Sequence, residues 1–215
     1  MFRNRSDAGI RLAGRLHQYR GRGDAVVLAL PRGGVVTGYE IARALNLRLD
    51  VLIVRKIGYP GQPELALGAI SETGSVVLNR SIVSSGGLSK EFIPTEIERQ
   101  KKEIALRISL YRSGKGLSNL EGRTVILVDD GVATGATIKA AIRTLKQEKL
   151  AKLVVALPVG PPETMNTLRQ MADEVVCLDT PLPFIAVGNH YQDFTQVSDQ
   201  EVVDLLKRAA ADERV

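Results

Sequence analysis

Val125-Ile126-Leu127-Val128 runs directly into Asp129-Asp130-Gly131-Val132-Ala133-Thr134-Gly135-Ala136-Thr137. The four apolar residues have the pattern of a strand buried on both faces, and an apolar helical stripe begins at the last residues of the run. A strand, a small-residue loop and a helix N-terminus together make an anion site, because unpaired backbone amides point at whatever lies beyond the loop. Gly131 and Gly135 let the backbone close around a phosphate, and the hydroxyls of Thr134 and Thr137 can donate as well. Two carboxylates at the mouth, Asp129 and Asp130, would repel a bare phosphate cluster. They imply vicinal hydroxyls or a divalent cation beside it. A phosphorylated sugar meets both demands.

Working outward, Arg5 to Tyr19 carries a helical apolar stripe with Asn4 or Ser6 as cap. Ala25–Leu30 and Val51–Val54 read as buried strands, the first ending at Pro31-Arg32-Gly33-Gly34 before a helix over 35–45. The second ends at Arg55-Lys56, and the breakers Gly58, Pro60, Gly61 and Pro63 predict a mobile loop without regular structure. Residues 69–71 and 76–78 suggest a short hairpin. Residues 94–112 form a long helix with Ile97, Ile104, Ile108 and Tyr111 on one face and its charges on a solvated one. Strands and helices then alternate: strand 124–128, helix 135–149, strand 152–157, helix 161–171, strand 174–178, and a closing helix over 198–210 that Ser198 and Glu201 begin as a capping box. The alternation predicts an α/β fold, a parallel open sheet flanked by helices, with a small hood and an inserted helix. Length is compatible with a single domain over 1–215: a core of about 5–178, a hood from 179–197 plus the N-terminal segment, and an insertion at about 92–113.

Composition narrows the function classes. Hydrophobic residues make up 44% and charged residues 25%, which argues against disorder. No apolar run approaches the roughly 20 residues that span a bilayer, and no secretory leader is legible, so the expected location is cytoplasmic with no membrane partner. The single cysteine, Cys177, lies in an apolar run and reads as a buried, inert thiol. A net charge of +5 leans toward anionic partners, but aromatic residues at 4% provide no stacking platform for nucleic acid, which is not expected as a partner. No Walker loop is present, and Gly21-Arg22-Gly23 lacks both the third glycine and the preceding strand of a dinucleotide fingerprint.

The run 129–137 after its four apolar residues resembles the phosphoribosyl diphosphate (PRPP) signature of the type I phosphoribosyltransferases, and most of the chain, with its other loops in the same order, resembles that family and its small stand-alone bacterial members. The resemblance implies a Mg²⁺-dependent transferase that moves ribose 5-phosphate from PRPP to a nitrogenous acceptor and releases diphosphate, with a homodimer as the common assembly. It places Asp129 and Asp130 on the ribose hydroxyls, directly or through hydrated Mg²⁺, and Gly131 with Ala133, Thr134, Gly135, Ala136 and Thr137 around the 5-phosphate. Gly33 and Gly34 with Arg32 match the diphosphate loop, where Gly33 allows an unusual backbone, and Arg55 and Lys56 also face diphosphate. Catalysis is then positioning plus stabilisation of departing charge by Arg32, Arg55 and Lys56. Enzymes of the family that act on 6-oxopurines carry an acid where this chain has Ala133, so adenine, a pyrimidine or an unusual acceptor is favoured. Glu64 is either a proton-transfer group or a solubilising residue. Phe184, Tyr191 and Phe194 either stack the acceptor base, Phe184 foremost, or seal the sheet edge as a satellite cluster. His17 and His190 are not expected in catalysis. The alternative is a PRPP-sensing protein with weak or no turnover; against it, no helix-turn-helix segment is legible, and Arg32, Arg55 and Lys56 would serve turnover.

Overall fold

The computed structural model describes residues 1–60, 62–79, 82–83, 89 and 91–212, with backbone alone over 62–66. Five strands form the central sheet: β1 (Ala25–Ala29), β2 (Arg48–Val51), β6 (Thr124–Val128), β7 (Lys152–Val159) and β8 (Glu174–Asp179), all parallel, in the order β2-β1-β6-β7-β8. Chain direction along the sheet reverses between β1 and β6. Open α/β sheets bind ligands in the crevice beyond the strand ends at such a reversal. Register brings the two edges of that crevice level: Ala29 pairs with Val128, and Leu30 N donates to the Val128 carbonyl at 2.9 Å.

The strands alternate faces and so sort the core into two layers. Val27, Ala29, Ile126, Val128, Val154 and Ala156 pack with helices α1 (Arg5–Arg15), α2 (Gly33–Leu45) and α6 (Asp199–Asp212). Val26, Leu28, Val125, Leu127, Val155 and Leu157 face α4 (Ala136–Leu145) and α5 (Pro162–Met171). Burial on both faces explains the unbroken apolar runs of β1 and β6. Asn4 caps α1, accepting from Asp7 N at 3.0 Å. At α6 the capping box forms, Glu201 N donating to Ser198 Oγ at 3.2 Å and Ser198 N to Glu201 Oε2 at 2.8 Å.

The structure departs from expectation around residue 54. The parallel strand ends at Val51: Leu52 N still donates to the Ala29 carbonyl at 3.0 Å, and Ile53 then binds Glu72, its N–H donating to Oε1 at 2.9 Å and its carbonyl accepting from Glu72 N at 3.0 Å. The breaker-rich stretch is regular: β3 (Val54–Tyr59) and β4 (Gln62–Ser71) pair antiparallel, and β5 (Val76–Leu78) adds to β4, making a three-stranded sheet that is the small hood. Pro60 falls in the turn. Pro63 falls where the ladder is irregular, between the pairs Tyr59 with Gln62 and Gly58 with Ala66, so its missing N–H disrupts little. The inserted helix α3 (Phe92–Arg112) buries Gln100, Ile104 and Tyr111 against this sheet and the main core. At its end Arg112 pairs with Asp50 at 3.5 Å and with Glu72, in a cluster where all three side chains are at most 9% exposed. Residues of the N-terminus and of 179–197 pack on one another elsewhere, Phe2, Tyr191, Phe184, Val187 and Phe194 forming a separate apolar cluster. Cys177 is half-buried rather than buried, since β8 is an edge strand; burial still pushes its thiol up to about 11.

Candidate functional site

The β6–α4 loop has the geometry of an anion cradle. Gly135 takes the N-cap position with φ +72°, in the left-handed region, and a Cβ there would also stand 2.9 Å from Thr164 Cγ2. No side chain caps α4, so its first amides remain available to a ligand. Two loop carbonyls are occupied within the protein: Lys139 Nζ donates to Thr134 O at 2.8 Å and Thr164 Oγ1 to Ala133 O at 2.7 Å. Ala133, Thr134 and Thr137 are exposed. The N-terminus of α2, at Gly33 and Gly34, likewise has no side-chain cap. Two positive helix ends therefore open on the reversal point of the sheet.

The acidic pair joins the two loops. Asp130 is packed on Gly33, where a Cβ would overlap Oδ2 outright and stand 2.7 Å from Cγ. At Gly33 itself the constraint is space, since its φ is not positive; the unusual backbone of this loop lies just before it, at the cis Pro31–Arg32 peptide bond. Asp129 turns Oδ1 to the Asp130 N–H at 2.9 Å and lies under Gly34, whose Cβ would stand 3.0 Å from the same oxygen. Burial of its carboxyl, and then the neighbouring charge of Asp130, hold Asp129 well above the usual carboxylate range. Arg5 supplies the counter-charge, Nε to Asp130 Oδ2 at 2.6 Å, and Tyr191 donates its hydroxyl to the Asp130 carbonyl at 2.5 Å. Burial raises the Tyr191 phenol far out of the physiological range, so it acts as a fixed donor.

Two cavities flank the loop. One, of about 560 Å³, gathers Pro31, Arg55, Lys56 and Thr137 with Glu96, Arg99 and Arg107 of α3. Part of the α3 charge thus lines a cavity, whereas Lys101 and Glu98 pair with each other on the solvated side. Arg55 and Lys56 stand on β3 of the hood rather than at the end of a core strand, and Arg55 Nε is held by Gln100 Oε1 at 2.9 Å. Arg32 lies 3.9 Å from Asp199, a half-exposed pair. The other cavity, of about 410 Å³, is lined by Ala133, Thr134, Lys139, Glu163 and Thr164 with Phe184 and Ile185. Phe184 stacks on His190, ring centres 5.2 Å apart. The Glu64 side chain lies outside the described residues. The sequence reading missed Arg5, Lys139, Gln100, Arg99 and Arg107. Only the basic composition of the first and third helices hinted at Arg5, Arg99 and Arg107, and no signal singled out Gln100 or Lys139. Among the described residues no helix is long and apolar enough to cross a membrane.

Comparison with known proteins bears on what binds here. A family model described as "Phosphoribosyl transferase domain" matches residues 3–193. Two curated relatives from Mycobacterium tuberculosis, from strains CDC 1551 and H37Rv, the second named "Putative phosphoribosyl transferase Rv0571c", are each 47% identical over 212 residues. The match takes in 99% of this chain, which spans about half the length of those relatives, 48%. The crystal structure of TT1426 from Thermus thermophilus superposes with a TM-score of 0.86 at 43% identity, covering 97% of this chain and 98% of that one.

Proposed function

Because this chain belongs to the phosphoribosyl transferase domain family, we propose that it carries ribose 5-phosphate from PRPP to a nitrogenous acceptor, with Mg²⁺ and release of diphosphate. The observation that carries the reading is the meeting of Gly33 with Asp130 at the reversal point of the sheet, which sets an uncapped helix end, an acidic pair and a second uncapped helix end side by side. A donor with phosphate at one end, hydroxyls in the middle and diphosphate at the other matches that sequence of groups.

In this reading the amides and hydroxyls of Ala133 to Thr137, with Gly131 behind them, hold the 5-phosphate. Asp130 and Asp129 accept from the ribose hydroxyls. Gly33 and Gly34 amides, Arg32, Arg55 and Lys56 receive the diphosphate, the last two from the wall of the 560 Å³ cavity. Asp130, and Asp129 once a bound cation offsets the burial and neighbouring charge that raise it, would suit Mg²⁺, which takes one or two carboxylates, several waters and substrate phosphates rather than an all-protein cage. Among the described residues no cluster of three or more potential metal ligands offers such a cage. The ion's contribution when bound is neutralisation of charge on the leaving diphosphate. The C1–oxygen bond breaks with its electron pair on diphosphate, and the acceptor nitrogen supplies the pair for the new C1–nitrogen bond and passes its proton to the departing diphosphate. No protein nucleophile is required, so positioning and electrostatic stabilisation do the catalysis. The acceptor sits in the 410 Å³ cavity against Phe184, and Ala133 there offers no carboxylate to N7 of a 6-oxopurine.

The test is incubation with PRPP, Mg²⁺ and a panel of nucleobases, following diphosphate release, with calorimetry on Asp130→Asn and Thr134→Ala. Turnover with adenine, a pyrimidine or another non-oxopurine acceptor, and sharply weaker PRPP binding in both variants, is expected. Wild-type affinity in both variants refutes the site. PRPP binding without turnover across the panel would favour a sensing role.

A further inference from the structure

We infer that Arg5, on the first turn of α1, is the positioning residue of the ribose site: it fixes the Asp130 carboxylate on which donor binding depends. The inference rests on the donor-site reading above and adds to it a residue 125 positions away in sequence.

Three contacts hold the Arg5 guanidinium, and Gly33 leaves room for it. Nε binds Asp130 Oδ2 at 2.6 Å, Nη1 donates to the Thr195 carbonyl at 2.7 Å, the guanidinium carbon stands 3.8 Å from the centre of the Phe194 ring, and Nε lies 2.8 Å from where a Gly33 Cβ would be. Both partners are nearly closed off, with side chains 10% and 15% exposed. An ion pair so placed adds little stability over well-packed apolar residues, because taking both charges out of water offsets their attraction. Its strength is geometric. An arginine held by a carbonyl and a ring cannot follow a wandering carboxylate, so the carboxylate is confined to it. One oxygen of Asp130 is engaged and the other stays outside the ion pair.

The scaffold supports the same role. Asp130 is held at its other end by the Tyr191 hydroxyl on its carbonyl. Arg5 and Tyr191 belong to terminal segments that are themselves laced together, Phe2 N to His190 O at 2.8 Å, Gln192 N to Phe2 O at 2.8 Å and Asp193 N to Arg3 O at 2.9 Å. Two segments outside the signature loop thus converge on one of its residues and hold it from both sides. A surface helix needing only an anchor would gain as much from apolar contacts; this one reaches past them to the acid at the crevice.

The experiment is calorimetric titration of PRPP with Mg²⁺ into the wild-type chain, Arg5→Gln, Arg5→Lys, Asp130→Asn and the Arg5→Gln/Asp130→Asn double variant, with inorganic phosphate titrated separately by NMR as a probe of the phosphate loop alone. Arg5→Gln should weaken PRPP roughly 10- to 100-fold, the range for a hydrogen bond to a charged group. Arg5→Lys should recover part of that loss, phosphate affinity should stay unchanged, and the double variant should bind about as Asp130→Asn does. Wild-type PRPP affinity in Arg5→Gln with loss in Asp130→Asn overturns the role of Arg5 and leaves the donor site standing. Multiplying losses in the double variant, or a parallel fall in phosphate affinity, overturns it too, since either marks a merely structural pair. PRPP affinity unmoved by Asp130→Asn removes the donor-site reading, and this inference with it. If Arg5→Gln does not fold, Arg5→Lys alone and combined with Asp130→Asn gives the same comparison.

Discussion

Substituting Gly33 by alanine separates the needs of the site from those of the fold. The new Cβ would overlap Asp130 Oδ2 and stand 2.7 Å from its Cγ and 2.8 Å from Arg5 Nε. Returning Cγ to an ordinary contact of 3.4 Å requires a retreat of roughly 0.7 Å, and more at Oδ2. The backbone raises no objection, because Gly33 has no positive φ and begins a helix in which alanine is favoured by up to about 1 kcal/mol. Overpacking costs about 1–3 kcal/mol, so a net loss of about 1–2 kcal/mol is expected, a fall in Tm of roughly 2–8 °C. A hydrogen bond of ordinary length, about 2.8 Å, from a ribose hydroxyl to Asp130 would be effectively lost on such a retreat, and one to a carboxylate contributes about 1.5–3 kcal/mol, so PRPP should bind roughly 10- to 150-fold more weakly. Scanning calorimetry and titration calorimetry on the same preparation read both quantities. A lowered Tm with undiminished PRPP affinity would mean that Asp130 does not touch the donor.

Gly14, exposed near the end of α1, has open space around the position of a Cβ, so Gly14→Ala should stabilise by up to about 0.5–1 kcal/mol without touching donor affinity; an unchanged or lower Tm contradicts this. Arg112→Ala should cost about 3–5 kcal/mol at neutral pH by stranding Asp50 and Glu72 in the interior. Burial already raises Asp50 against the pull of Arg112. With the cation gone Asp50 has a folded pKa further above its unfolded one, the native state holds more protons, and stability should recover as pH falls from 7 toward 5. Urea melts of that variant showing the same deficit at both pH values would refute it. With its thiol pushed up to about 11 by burial, Cys177 should alkylate negligibly at pH 7.5 and faster as pH rises toward 10; native-state labelling at pH 8 as fast as a free thiol rules that out.

The parallel sheet and the uncapped strand-to-helix loop after β6 were legible because their signals are local. A doubly buried strand needs an unbroken apolar run, as in Val125 to Val128, and a helix that starts on Gly135 leaves amides uncapped whatever packs around it. The hood sheet was not legible. Pro60 and Pro63 break structure in isolation, yet the antiparallel ladder places them at its turn and its irregularity, and only pairing with β4 makes β3 a strand. The α3 charges were misread for a related reason: helical periodicity separates a polar face from an apolar one but does not say that part of the polar face overhangs a cavity.

The sequence by itself determined an α/β sheet, an anion cradle between strand and helix, and two acids at its mouth, all consequences of residues within a dozen positions of one another. Only the tertiary structure decided that β1 and β6 are neighbours, so that Gly33 and Asp130 meet. It also decided that an arginine from the first helix and a tyrosine from beyond the last strand close on that acid. Those contacts join residues tens to more than a hundred positions apart, and the pairing order of strands is set by competition among whole buried surfaces, which no local pattern encodes.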